Sequence, residues 1–194
     1  MEKLKAQLRD WIAGWQKLNR RDKQIYSGLG LIALLILVMV AVPSSDQKIS
    51  AAADRVMVLA ENVRSAYRNK PNYWGLNTQT AIKEGVVPAN MLNKGLVING
   101  IGSEVLIGQG ENGDAAMPGT SGFDIIYKYI NKKACILLLS YHFSDQQKLG
   151  LRSITLVNSK NTEFSWGAEN PLPVEIHQAR QLCEAQNTII WSFE

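Results

Sequence analysis

The sequence predicts an α+β protein in which a long N-terminal membrane-spanning helix continues into a second helix packed on an antiparallel sheet. Three observations carry that expectation. Residues 24–45 hold no charged side chain and include twelve consecutive apolar ones at 31–42. Ile49, Ala53, Val56, Ala60, Val63 and Tyr67 then recur in steps of four and three, the spacing of one helix face. From residue 96 onward, runs rich in β-branched and aromatic residues alternate with Gly and Asn turns.

As a helix, the uncharged stretch rises about 33 Å, enough to cross a hydrocarbon core of ~30 Å. A cleaved signal peptide and a buried core helix are the alternatives to a retained span, and charge separates them. Residues 1–24 carry seven basic side chains (Lys3, Lys5, Arg9, Lys17, Arg20, Arg21, Lys23) against Glu2, Asp10 and Asp22. Basic flanks stay in the cytoplasm, which places residues 46–194 outside the inner membrane in a single-pass topology. The leader alone accounts for the net charge of +4, and the rest of the chain is neutral. A basic stripe on a folded domain, the footprint of nucleic-acid binding, is therefore not expected.

Within the leader, Leu4, Leu8, Trp11, Ile12, Trp15 and Leu18 fall on one helical face. Such a basic, Trp-bearing helix suits the inner-leaflet interface or packing on another subunit. Pro43 either kinks one long helix or divides the span from a helix capped by Ser44 or Ser45. The stripe after it reads as one amphipathic helix on its own sheet rather than a coiled coil, ending at residues 69–72. Its opposite face carries Asp54, Arg55, Glu61 and Arg68.

Residues 73–95 read as a loop, a short helix at 78–84 stopped by Gly85, and a turn after Pro88. Strands follow within residues 96–100, 103–109 and 123–130. The glycine-rich loop between the last two matches neither phosphate-loop pattern. Residues 132–144 suit strand or helix, with Asn131 a possible cap and Cys135, Leu138 and Leu139 on one helical face. A strand at 151–157, a turn at 158–161, a polar loop at 162–173 containing Trp166, a helix at 174–185 and a strand at 188–193 complete the chain.

Cys135 and Cys183 both lie beyond the span. In an oxidising periplasm an even pair reads as a disulfide, and in the cytosol as two unrelated thiols. A disulfide there would contribute about 4 kcal/mol at most. Two Cys and two His, His142 and His177, lack metal-ligand spacing, so neither metal nor cofactor is expected. No Ser-His-Asp set, paired-carboxylate motif or nucleotide loop points to an enzyme or a small-molecule substrate.

The order of these elements resembles a type IV pilin of the IVb subclass. The segment YWGLNTQTAIKEGVVPANML, with Gly85 and Pro88, is similar to that family's short helix and following loop. FDIIYKYINKKACILLLS resembles the strand and helix bearing the first cysteine, and HQARQLCEAQNTIIWSFE the last helix, second cysteine and closing strand. The resemblance covers about residues 25–194. It implies a cytoplasmic leader (1–24), a transmembrane helix (25–45), a periplasmic extension helix (46–70) and a globular domain (71–194). It also implies partners: other pilin subunits, the inner membrane, a prepilin peptidase and pilus-assembly proteins. Leu31, Leu34, Leu35, Ile36, Val38, Met39, Ile49, Val56 and Val63 would form the membrane and assembly helix. The disulfide-bounded region would shape the surface of a fimbrial filament used in cell adhesion. Gly28 and Gly30 are the candidate cleavage glycines. A major pilin carries glutamate five residues after the cut, where this chain has Ala33 or Leu35. That departure points to a minor, initiating or tip-type pilin, or to an uncleaved single-span protein whose pilin domain acts as an assembly or binding module.

Overall fold

A 23-residue helix, α1 (Ser45–Tyr67), is the first element of the domain in a computed structural model of the chain. The structure describes Asn19 and residues 44–108, 122–143, 150–167 and 170–194. The expected span, with Gly28, Gly30, Leu31, Leu34, Leu35, Ile36, Val38 and Met39, lies outside the described residues, as does the loop at 110–121. Among the described residues no helix is long and apolar enough to cross a membrane. The chain divides into two compact units, Met1–Ser44 and Ser45–Glu194. The second unit holds α1, the sheets and the shorter helices.

Asp46 in the first turn of α1 complements the helix dipole. The apolar stripe is buried, with Ala52 and Leu59 widening it beyond the six positions at strict four-three spacing. Each large aliphatic side chain sealed there contributes about 1.5–3 kcal/mol. Ile49, Val56 and Val63 are thereby committed to their own domain's core. What α1 leaves outside is a second stripe at the same spacing: Gln47, Ala51, Asp54, Val58, Glu61 and Ser65.

After α1 comes α2 (Thr78–Lys83), capped by Asn77, whose Oδ1 accepts from the Thr80 amide at 2.9 Å. It ends in a Schellman turn: Val86 N donates to Ala81 O at 2.9 Å and Gly85 N to Ile82 O at 3.1 Å, with Gly85 at φ +72°. A 3-10 turn (Ala89–Met91) leads into a small hairpin of β1 (Leu92–Asn93) and β2 (Leu96–Val97). Lys94 and Gly95, at φ 49° and 84°, form the two-residue bend with the positive angles a primed turn requires. The 3-10 turn stands where a turn after Pro88 is expected and β2 falls within the strand expected at 96–100, while β1 escapes the sequence because a two-residue strand is too short to show alternation.

The main sheet comprises β3 (Val105–Gly108), β4 (Phe123–Ile130), β5 (Leu151–Asn158), β6 (Glu163–Trp166) and β7 (Asn187–Phe193). Its order is β3-β4-β7-β5-β6, antiparallel throughout, so the last strand enters between two earlier ones. Ile125, Trp191 and Ile154 line up across the three middle strands, and all are buried. Between β4 and β5 the ambiguous segment is helix α3 (Lys132–Leu139), with Asn131 Oδ1 accepting from Ala134 N at 3.0 Å. The polar loop expected around Trp166 is in part strand β6, since Phe164 and Trp166 pair with Leu156 and Ile154 while Ser165 turns outward beside Thr155. Helix α4 (Ile176–Leu182) is shorter than the expected 174–185, and Cys183 is its C-cap.

One hydrogen bond ties helix to sheet at their centre. Tyr127 Oη donates to Ala52 O at 2.9 Å, its ring edge-on to Trp191 with centroids 4.9 Å apart. Burial pushes the Tyr127 phenol well above its ordinary value. A raised folded pKa means this group's stabilising contribution is complete below the ordinary phenol range near 10 and declines as pH rises beyond it. Tyr127→Phe is expected to lose about 1 kcal/mol at neutral pH and to flatten the alkaline decline, as read from urea unfolding between pH 7 and 11.

Candidate functional site

The face bounded by the two cysteines is built from α3, α4 and the start of β7. Cys135 sits on the buried side of α3, one turn past the Asn131 cap, and Cys183 closes α4. The two are joined in a disulfide with Cα atoms 6.0 Å apart, and both are fully buried. The bond therefore acts as a hidden tie between two short helices, and the surface over it belongs to other residues.

Asn187 organises that surface from beneath. It is 3% exposed, and its Nδ2 donates to Ile130 O at 2.9 Å and to Glu184 O at 2.8 Å, while its Oδ1 accepts from Glu184 N at 2.9 Å. One side chain thus joins the end of β4 to the turn after Cys183. Next to it the β4–β7 register shifts between Tyr127 and Ile130, and Tyr129 adopts φ 59° and is 67% exposed. Asn158 does similar work at the β5–β6 turn. Its Oδ1 accepts from Lys160 N at 3.0 Å and Thr162 N at 3.1 Å, and its Nδ2 donates to Leu182 O at 3.2 Å. Buried amides of this kind satisfy turn backbone that no ladder reaches.

Two lysines on the rim are paired. Lys133 Nζ lies 2.7 Å from Asp46 Oδ1 and 3.0 Å from Ser45 Oγ, fastening α3 to the start of α1. Lys160 bonds Glu184 and, by that hydrogen bond first and its charge second, holds the carboxyl below its ordinary range. Two residues beyond α3, Tyr141 Oη donates to Asp54 Oδ1 on α1 at 2.6 Å, which raises the phenol's pKa. These contacts are exposed and fix orientation more than stability.

His142 and His177 are both exposed, and His177 Nδ1 lies 2.9 Å from Glu175 Oε2. Among the described residues no group of three or more His, Cys, Asp or Glu is gathered as a metal site would require. What the arrangement provides is a stapled, hydrogen-bonded surface. Sequence reasoning found Cys135, Cys183 and the Asn131 cap, but missed Asn187, Asn158 and Tyr129. The paired turn residues in CEAQN and NSKN were the signal for the two asparagines. Nothing in the sequence marks Tyr129.

Comparison with known proteins identifies the lineage. A family model described as Bundlin matches residues 42–189, well over half of the chain. No curated protein matches. Among solved structures, the type IVb pilin from Salmonella typhi is 15% identical, with a TM-score of 0.49 over 74% of this chain and 95% of that one. TcpA, a type IV pilin from the Vibrio cholerae El Tor biotype, is 14% identical, with a TM-score of 0.48 over 76% of this chain and 99% of that one. With the family model spanning α1, the whole sheet up to β7 and both cysteines, the chain belongs to the bundlin family and is a type IV pilin of IVb-like kind.

Proposed function

We propose that the chain is a minor pilin, of initiating or tip type, held in the inner membrane by residues 25–45 and assembling into, or helping to assemble, a type IV pilus filament. Membership of the bundlin family makes it a type IV pilin-like subunit, and subunits of that family are structural rather than enzymatic. The observation that supports the minor role is the residue at the fifth position after either candidate glycine. Ala33 or Leu35 stands where a major pilin carries glutamate. A carboxylate in lipid is costly without a partner, so a subunit with no neighbour to pair with gains by lacking one.

In this reading residues 1–24 are cytoplasmic, 25–45 span the membrane, 46–70 continue as helix and 71–194 complete the periplasmic domain, which becomes extracellular after assembly. Leu31, Leu34, Leu35, Ile36, Val38 and Met39 pack first against lipid and then against neighbouring subunits. Because Ile49, Val56 and Val63 face their own sheet, neighbouring subunits meet the outward stripe from Gln47 to Ser65 instead. Leu35→Arg is expected to remove the protein from the membrane fraction, since a central arginine costs about 2.5–3.5 kcal/mol on insertion. Unchanged fractionation would mean that residues 25–45 are not the anchor.

The second reading is an uncleaved inner-membrane protein using the same domain as an assembly or binding module. The long leader, with an apolar face of its own, favours it. Shearing filaments from cells that express a tagged chain separates the two. A tagged band at trace level in the sheared filaments supports a minor subunit, and complete retention in the inner membrane supports the module.

A further inference from the structure

The end of the domain at which the chain enters carries a backbone outlier. Lys133 Nζ reaches Asp46 Oδ1 and Ser45 Oγ, so the start of α3 lies against the first residues of α1. Ile130 is paired with Asn187, and Asn187 with Asn158. The end of β4, the start of β7 and the β5–β6 turn therefore share that end. Tyr129 lies there too, four residues before Lys133 and so within about 14 Å of it along the chain. The far end of α1, at Tyr67, is about 33 Å away for a helix of 23 residues.

Simple alternation along β4 would put Tyr129 on the face of Tyr127, and Ile130 on the other. From Tyr127 to Ile130 β4 advances three residues while β7 advances two, from Ile189 to Asn187, so β4 carries one extra residue. That bulge exchanges the two positions: Ile130 is fully buried and Tyr129 is left 67% exposed. Tyr129 takes φ 59°, a left-handed conformation that suits Gly or Asn and strains tyrosine. Asn187, bonded to Ile130 O, holds the bulge in place. A strained backbone that turns a large ring outward marks a contact surface, since asparagine or glycine would form the same bulge with less strain. Among the described residues the same end carries Lys48, Lys128, Lys132, Lys133 and Lys160, and also Asp46, Glu104, Glu163 and Glu184. Its charge is close to balanced.

We infer that this end of the domain rests on the outer surface of the bilayer that the chain itself spans, with the Tyr129 ring at headgroup level. The inference rests on the reading of residues 25–45 as the anchor, which sets Ser45 at the bilayer surface. Tyrosine suits that depth, its ring facing the acyl boundary and its hydroxyl staying in water. The lysine stems lie along the headgroups with their ammonium groups beside phosphates. Because the charge is balanced, the ring rather than attraction to anionic lipid supplies most of the contact. One ring would hold a free domain poorly, but a domain tethered to the same bilayer meets it at high effective concentration. The contact holds the domain in one orientation over the membrane before it enters a filament.

The test uses the full chain in carbonate-washed vesicles of phosphatidylethanolamine and phosphatidylglycerol. A fluorophore is placed on Ser159→Cys, in the β5–β6 turn, or on Asn69→Cys, beyond the far end of α1. Both native cysteines are in the disulfide, so each variant offers one thiol. A lipid with a nitroxide on its headgroup is expected to quench the Ser159→Cys label about threefold or more strongly than the Asn69→Cys label. Tyr129→Asn should remove most of that difference, and Tyr129→Trp should keep it. Asparagine tolerates the left-handed backbone, so the thermal midpoint of Tyr129→Asn should equal or exceed the parent's. Should Tyr129→Asn not fold, Tyr129→Gly, equally suited to that backbone, takes its place. Equal quenching of both labels on carbonate-resistant protein, or a difference that Tyr129→Asn leaves intact, overturns this inference and spares the anchor. Loss of the chain to the carbonate wash overturns the anchor reading and this inference with it. Lipid quenching that fades as protein density rises, while the fluorophores quench one another, makes a second copy the occupant and overturns the lipid contact.

Discussion

Replacing both cysteines, as Cys135→Ala/Cys183→Ala, is expected to lower the unfolding free energy of the domain by about 4 kcal/mol, the chain-entropy value for a closed loop of 48 residues. The domain should still fold, because a chain of roughly 150 residues buries enough surface to hold together without a covalent tie. Two features bear on the size of the loss. Both sulfurs are fully buried, so alanine leaves small voids that add to it. Asn187 already fastens the segment after Cys183 to Ile130, so the native state keeps that corner in place. The measurement is urea unfolding of the parent and the double variant, each with and without reductant. A loss at least as large as that of the reduced parent, and unchanged by reductant in the double variant, is the expected pattern. A shift below about 1 kcal/mol would mean that the Asn187 junction, not the disulfide, holds α4 on the domain.

Asn187→Ala is expected to cost about 2–4 kcal/mol although it removes a single small amide. Three backbone groups lose their partner at once: Ile130 O, Glu184 O and Glu184 N. Each buried group left unsatisfied costs about 1–3 kcal/mol, less whatever water can reach. Asn187→Asp separates lost hydrogen bonds from lost packing. It keeps the shape and the acceptor but loses both donors and buries a carboxylate facing two carbonyls. That carboxyl should titrate above the ordinary range, so the variant regains stability as pH falls toward the range where the acid is protonated. Urea midpoints of both variants between pH 4 and pH 7 check the point. An Asn187→Asp protein as stable as the parent at neutral pH would contradict the role given to these hydrogen bonds.

Much of the domain is legible in the sequence because its long elements carry strong periodicity. The stripe from Ile49 to Tyr67 predicts both α1 and the face it buries, and Gly85 and Asn131 mark a helix end and a helix start by their local chemistry. Short elements are less legible. Strand β6 shows only two alternations between polar neighbours, and β1 and β2 show one each. Sheet order is not a local property, and the entry of β7 between β4 and β5 rests on contacts far apart in sequence. The candidate site divides along the same line. The cysteines can be paired by counting, whereas the importance of Asn187 and Asn158 depends on which carbonyls the fold brings within 3.2 Å of their amides.

The most direct test of the central claim, a membrane-held pilin subunit that enters a filament, is the intact mass of the membrane-extracted protein from cells with and without a prepilin peptidase. Loss of the residues up to Gly28 or Gly30 only when the peptidase is present is the result expected of such a subunit. A full-length mass in both cells would contradict it and leave an uncleaved membrane protein with a pilin domain.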